Sequence, residues 1–264
     1  MPFAQVDDAQ ADDARLYYRT DGDPARPCVV FSNSLGTDLG MWDAQAAALA
    51  ADFFVVRYDT RGHGRSDRGS APVTIARLGQ DVIGLLDVLG IQRAHFCGIS
   101  MGGLTGQWLG AHAPQRIAKL VLANTAARIG TAEGWSARAK LVRAEGMGAV
   151  ADGAAARWFT PAFVDRHPHT VSRMIRLLRE QDAEGYAACC EALADADLRS
   201  ALGSIAAPTL SIAGEFDPVT TIADGEALAA GIPGAQLVSV PASHMSNIEA
   251  EQAFTATLLR FLAA

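Results

Sequence analysis

The run Gly98-Ile99-Ser100-Met101-Gly102 carries the clearest chemical signal in the chain. It follows the apolar run RAHFC and precedes residues 102–112, which pattern as a helix. A strand that turns sharply into a helix at G-x-S-x-G lifts the serine hydroxyl out of the sheet and sets it over a helix N-terminus. Glycines at 98 and 102 let strand and helix meet with no side chain between them. Ser100 is therefore the candidate nucleophile. No Lys-Ser/Thr follows, so the turn is not a phosphate-binding loop.

A serine hydroxyl needs a base to become nucleophilic. His95 lies inside a strand-like run, His112 ends a helix, and His167 and His169 flank Pro168 in a helical region. Two histidines stand in loops: His63 in RGHGRSD and His244 in VPASHMSNIEA. His244 is preferred, with His63 its competitor. Its loop follows the last strand and reaches the same sheet edge as Ser100, and the chain order nucleophile, acid, base fits this architecture. The acid is expected after the penultimate strand, where PTLSIAGEFDPV offers Asp217 and, as the alternative, Glu215. Asp217, fixed by Pro218, would accept Nδ1–H of His244 and set its tautomer. An oxyanion hole needs two backbone amides. Met101 supplies one, and Leu35 in FSNSLGTDLGMW the other, with small Ser34 and Gly36 beside it.

The elements that must position these residues alternate. PCVVFS, DFFVVRYD, RAHFCGIS, KLVLAN, APTLSIAG and AQLVSV read as strands. Helical patterns fall between them at residues 41–51, 74–90, 102–112 and 222–230, with a closing helix at 247–262, and Gly90 reads as a helix C-cap. RLYYRT reads as an antiparallel edge strand. The alternation predicts an α/β chain with a mostly parallel sheet covered on both faces. Residues 126–195 break the rhythm with four helical stretches and no strand. They are expected to form an all-helical lid over the edge where such sheets bind ligands. Residues 1–125 and 196–264 then form the core.

Composition narrows the function classes. The chain has 264 residues, enough for one large core with an inserted subdomain. The formal charge is −7, with no basic stripe for a nucleic acid. The lid stretch holds nine basic and nine acidic residues, so the core carries the whole negative charge. No apolar run reaches the roughly 18 residues of a membrane span, and the N-terminal stretch lacks a signal-peptide pattern, so a cytoplasmic location is expected. Cys28, Cys97, Cys189 and Cys190 lack zinc-site spacing and read as core residues.

Taken together, Ser100, Asp217 and His244 with the turn YDTRGHGRSD resemble the α/β-hydrolase family over essentially the whole chain. That resemblance implies an eight-stranded sheet with the lid after the sixth strand and the glycine turn after the fourth, which makes His63 a turn residue. SNSLGTDLGMWDAQ, VVRYDTRGHGRSD, GISMGG and NTAARIGTAEGW are more narrowly similar to the 3-oxoadipate enol-lactonases. That resemblance implies hydrolysis of 3-oxoadipate enol-lactone in the β-ketoadipate route of aromatic degradation, with no cofactor or metal. It accounts for Asn33-Ser34 where many hydrolases have His-Gly. The implied partner is a small anionic lactone, with no nucleic acid or membrane partner, and self-association is left open. Its carboxylate needs a local cation on an acidic protein. Arg128 and Arg138 flank Trp135 at the lid entrance, with Arg138 preferred and Trp135 placed to pack on the ring. The same triad serves carboxylesterases, carbon–carbon bond hydrolases and perhydrolases. A ligand receptor on the same fold is the non-enzymatic alternative.

Overall fold

Every residue of the runs CVVFS and TLSIAG is buried, as expected of strands covered on both faces of a parallel sheet. The computed structural model describes residues 3–6 and 14–264; the core expectation for residues 1, 2 and 7–13 lies outside the described residues. The strands are β1 (Phe3–Val6), β2 (Ala14–Asp21), β3 (Cys28–Ser32), β4 (Phe54–Tyr58), β5 (Ala94–Ile99), β6 (Ile117–Ala123), β7 (Thr209–Gly214) and β8 (Gln236–Val240). They form one eight-stranded sheet in the order β1-β2-β4-β3-β5-β6-β7-β8. β2 pairs antiparallel with β1 and β4, and the remaining pairs are parallel. RLYYRT is thus antiparallel, but β1 takes the edge outside it.

The helices are α1 (Asp43–Leu49), α2 (Ile75–Val88), α3 (Met101–His112), α4 (Ala132–Glu145), α5 (Gly148–Ala151), α6 (Ala154–Trp158), α7 (Pro161–Arg166), α8 (Pro168–Arg179), α9 (Ala183–Asp195), α10 (Ile222–Gly231), α11 (Ser246–Glu249) and α12 (Glu251–Ala263). Strand residues alternate between two apolar layers, as a period of two requires. Val29, Phe31, Cys97 and Ile99 join Trp42, Leu49 and Phe254 on one face. Val30, Phe96, Leu120 and Leu122 join Val82, Leu85 and Leu228 on the other. The first layer continues into the helical insertion through Trp158, Leu178 and Tyr186.

The insertion runs from α4 to α9, between β6 and β7. It has six helices where the sequence pattern shows four. α5 and α7 span only 4 and 6 residues, too short to display a helical period. Arg143 on α4 bridges Glu184 and Glu191 on α9, tying the two together. The closing helix is also broken, at Ala250, into α11 and α12. Among the described residues no helix is long and apolar enough to cross a membrane.

Two glycines decide how β5 meets α3. A Cβ on Gly98 would stand 2.2 Å from the Gly102 carbonyl oxygen, and one on Gly102 would stand 2.4 Å from that of Ser32. Both obstacles are backbone, which cannot swing aside. Gly102→Ala is therefore expected to cost about 1–3 kcal/mol of stability and to displace α3 from β3. Denaturant unfolding beside wild type measures the first, and faster hydrogen exchange of the residue-102 N–H, which donates to the Asn33 carbonyl at 3.1 Å, the second.

Candidate active site

Ser100 sits at the junction of β5 and α3 with φ 57° and ψ −115°, a conformation that L-residues avoid. Such a residue costs on the order of 1–3 kcal/mol and persists only where its surroundings over-determine it. Here the Ser100 N–H donates to the Ala123 carbonyl at 3.1 Å, and the Leu104 N–H donates to the Ser100 carbonyl at 3.1 Å. The Thr125 hydroxyl donates to that same carbonyl at 2.8 Å. The serine is thus held from β6 as well as from its own helix.

His244, on the loop after β8, brings Nδ1 to 2.8 Å from Asp217 Oδ2. Asp217 follows β7 and is densely solvated by protein donors. Its Oδ1 accepts the Val219 and Thr220 N–H groups at 2.7 and 3.1 Å. Its Oδ2 also accepts the Thr220 hydroxyl at 2.8 Å and the Asn124 amide at 2.9 Å. Burial pushes the Asp217 carboxyl up, but the hydrogen bonds from His244, Asn124 and the Thr220 backbone outweigh it and hold the group below its ordinary value. Asp217 is therefore ionised at neutral pH, which favours the His244 proton on Nδ1. Glu215 points elsewhere: it is exposed and accepts from Ser239.

Asn124 is a residue that the sequence reading missed. It ends β6 with φ 42°. Its amide donates to Asp217 and to the Ser243 carbonyl at 3.2 Å, and its oxygen accepts from the Ser246 hydroxyl. One side chain thereby pins the acid loop and the base loop together. The available signal was its position, a polar residue directly after a buried strand at the C-terminal sheet edge.

The loop after β3 is equally constrained. The Asn33 amide donates to the Tyr58 carbonyl at 2.8 Å, and its oxygen accepts the Trp42 indole N–H at 3.1 Å. Asn33 is fully buried, so its side chain anchors the loop. Its backbone carbonyl accepts the Gly102 N–H at 3.1 Å. Among the described residues no acceptor meets the N–H of Leu35 or of Met101, and Leu35 lines the same cavity as Ser100.

That cavity has a volume of about 300 Å³. Ser34, Leu35, Ser100 and His244 enter it from the sheet edge, and Trp135, Arg138, Arg157, Trp158, Leu178 and Tyr186 enter it from the insertion. The Arg138 guanidinium lies 4.8 Å from the Trp135 ring centroid. Arg128 does not line the cavity; it is exposed and stands 4.0 Å from Asp197. Arg157, which the sequence did not single out, lines the cavity where Arg128 was expected. Its guanidinium donates to the Val150 carbonyl at 2.6 Å. Burial first, and then the neighbouring charge of Arg138, lower its pKa. Among the described residues neither Arg138 nor Arg157 has a carboxylate partner. A larger groove of about 700 Å³ runs between residues 68–74 and the helices α4 and α9, and none of the candidate residues lines it. Among the described residues no group of His, Cys, Asp or Glu side chains forms a metal site, and all four cysteines are buried and unpaired.

Comparison with known proteins agrees with this architecture. The family described as alpha/beta hydrolase fold matches residues 27–160. The chain belongs to the α/β-hydrolase family of enzymes. It is 52% identical over 255 residues to 3-oxoadipate enol-lactonase 2 of Acinetobacter baylyi, covering 96% of each chain. It is 48% identical to 3-oxoadipate enol-lactonase 1 of the same organism, covering 90% of each. Among solved structures, an enol-lactonase from Burkholderia xenovorans LB400 superimposes with a TM-score of 0.93 at 49% identity, covering 95% of this chain and 97% of that one.

The depressed Asp217 carboxyl has a consequence for stability. A group whose folded pKa lies below its unfolded value stabilises the fold above the unfolded pKa and loses that contribution as pH falls through the folded one. Asp217→Asn is therefore expected to unfold with a shallower acid dependence below about pH 4 than wild type, as read from denaturant midpoints between pH 2 and 7.

Proposed function

We propose that the protein hydrolyses 3-oxoadipate enol-lactone to 3-oxoadipate, a step in the β-ketoadipate route of aromatic catabolism. The observation that supports this reading most is the make-up of the cavity. Its volume of about 300 Å³ lies at the small end for a ligand pocket. It brings together Ser100, His244 and two arginines that have no carboxylate partner among the described residues, which suits a small ester bearing a negative charge. The names of the Acinetobacter and Burkholderia relatives supply the candidate substrate.

The chemistry follows from the positions. His244 Nε2 takes the Ser100 proton as Oγ attacks the lactone carbonyl, and Asp217 stabilises the imidazolium. The Leu35 and Met101 N–H groups receive the oxyanion. The ring C–O bond then breaks and expels an enolate oxygen, a better leaving group than an alkoxide. The His244 imidazolium gives its proton to the departing enolate, the resulting enol tautomerises to the ketone, and Nε2 is left free to act as base again. Water deprotonated by His244 attacks the acyl carbon, releasing the carboxylate and restoring Ser100. Throughout, the leaving group stays tethered to the acyl group. Helices α4 to α9 act as a lid over this one compact anion, with Trp135 against the ring and Arg138, supported by Arg157, on the acetate carboxylate.

The enol-lactone is expected to be turned over with a higher kcat/KM than p-nitrophenyl acetate, and Ser100→Ala to lose both activities by about 10⁴-fold or more. Arg138→Ala is expected to raise KM for the lactone about 10- to 100-fold, the worth of a charge-assisted hydrogen bond, while leaving p-nitrophenyl acetate turnover near wild type. A preference for simple esters would replace this reading with a general carboxylesterase. A small change in KM would remove Arg138 from the carboxylate site.

A further inference from the structure

The oxyanion loop is a short length of chain whose two peptide planes must each face the right way. The Ser34–Leu35 plane is fixed from one side, because the Ser34 carbonyl accepts from the Thr37 N–H at 3.2 Å and from the Thr37 hydroxyl at 2.7 Å. In a trans peptide the N–H points opposite to the C=O, so the Leu35 N–H is turned away from Thr37. The next plane, Leu35–Gly36, has no such local anchor. Gly36 has φ +80° and carries no side chain, so nothing intrinsic to it resists a peptide flip. Its N–H instead donates to His63 Nε2 at 3.0 Å.

His63 is 1% exposed and lies on the turn after β4. For Nε2 to accept, the imidazole must be neutral with its proton on Nδ1, and Nδ1 faces the Arg61 carbonyl at 3.3 Å. Burial pushes His63 down to about 4, so Nε2 keeps its lone pair at neutral pH. The same turn is clamped by the insertion. The Gly64 N–H donates to Gln181 Oε1 at 2.8 Å. Gly62 and Gly185 on α9 meet so closely that a Cβ on Gly185 would stand 2.1 Å from the Gly62 oxygen.

We propose that His63 is a positioning residue for the oxyanion hole: it holds the Leu35–Gly36 peptide through the Gly36 N–H and ties that peptide to the turn on which the helical insertion rests. This rests on the reading of Ser100 as a nucleophile served by Leu35. His63 does not touch substrate and moves no proton in the reaction. Its effect is to keep the Leu35 amide aimed at the carbonyl oxygen while the helices above it are seated.

The test compares two amides of different reach. In His63→Gln the side-chain oxygen arrives near the place of Nε2, and in His63→Asn it stops near that of Nδ1. Both keep a polar group in the turn, so a merely structural role would not separate them. With p-nitrophenyl acetate, His63→Asn is expected to lose about 10-fold or more in kcat, up to the 10²- to 10³-fold of a lost oxyanion donor, with KM within about twofold. His63→Gln is expected to remain within about threefold of wild type in kcat. Inhibition by phenylboronic acid, which forms a tetrahedral anion on the serine, should weaken in His63→Asn by the same factor as kcat. Equal kcat for the two variants, or a loss confined to KM, would overturn the inference. Turnover that survives Ser100→Ala would instead overturn the reading on which it rests.

Discussion

The contact between the backbone of Gly102 and the strand β3 is the constraint from which the catalytic edge is built. No side chain can enter there, and the N–H of Gly102 donates to the carbonyl of Asn33. The turn that strains Ser100 and the loop that carries Leu35 are therefore one unit, joined by a hydrogen bond between the helix and the loop. The first peptide of α3 and the loop after β3 can converge on the same point only because the chain passes at backbone distance. The unfavourable φ of Ser100 is held by bonds to Ala123 and Thr125, one strand further along.

The other half of the site depends on Asn124. Asp217 and His244 lie on loops that follow different strands, β7 and β8. A single buried amide after β6 reaches both, and the Asp217 carboxylate completes its coordination with backbone donors from its own turn. With the carboxylate kept ionised against its burial, the tautomer of His244 is set by electrostatics and geometry together. All of these residues sit at the same end of a parallel sheet because parallel strands deliver their C-terminal loops to one edge.

What the sequence made legible was local in origin. The G-x-S-x-G turn, the buried strands and the loops after β7 and β8 each declare themselves within a dozen residues. Ser100, Asp217, His244 and Leu35 accordingly stand on the elements expected of them. What was hidden depends on chain segments far apart in number. Arg157 lies on the five-residue helix α6, with no periodicity to show that it faces inward, whereas Arg128 stands close to Trp135 in sequence yet turns outward to Asp197. The anchoring role of Asn33 was hidden because its partners, Tyr58 and Trp42, lie 25 and 9 positions away. β1 has only four residues and shows itself as a strand only through its pairing with β2.

The separation of charge between core and insertion bears on how an anion arrives. The chain as a whole carries −7, so an approaching carboxylate meets a repulsive field at long range. Arg138 and Arg157 act only within the cavity. Added electrolyte shortens the reach of the outer field, to about 10 Å at 0.1 M, yet screens the partly buried arginines less. Ionic strength would therefore ease the encounter more than it loosens the hold. For the anionic substrate proposed above, the two arginines would be a short-range trap inside a negative envelope, the reverse of long-range steering.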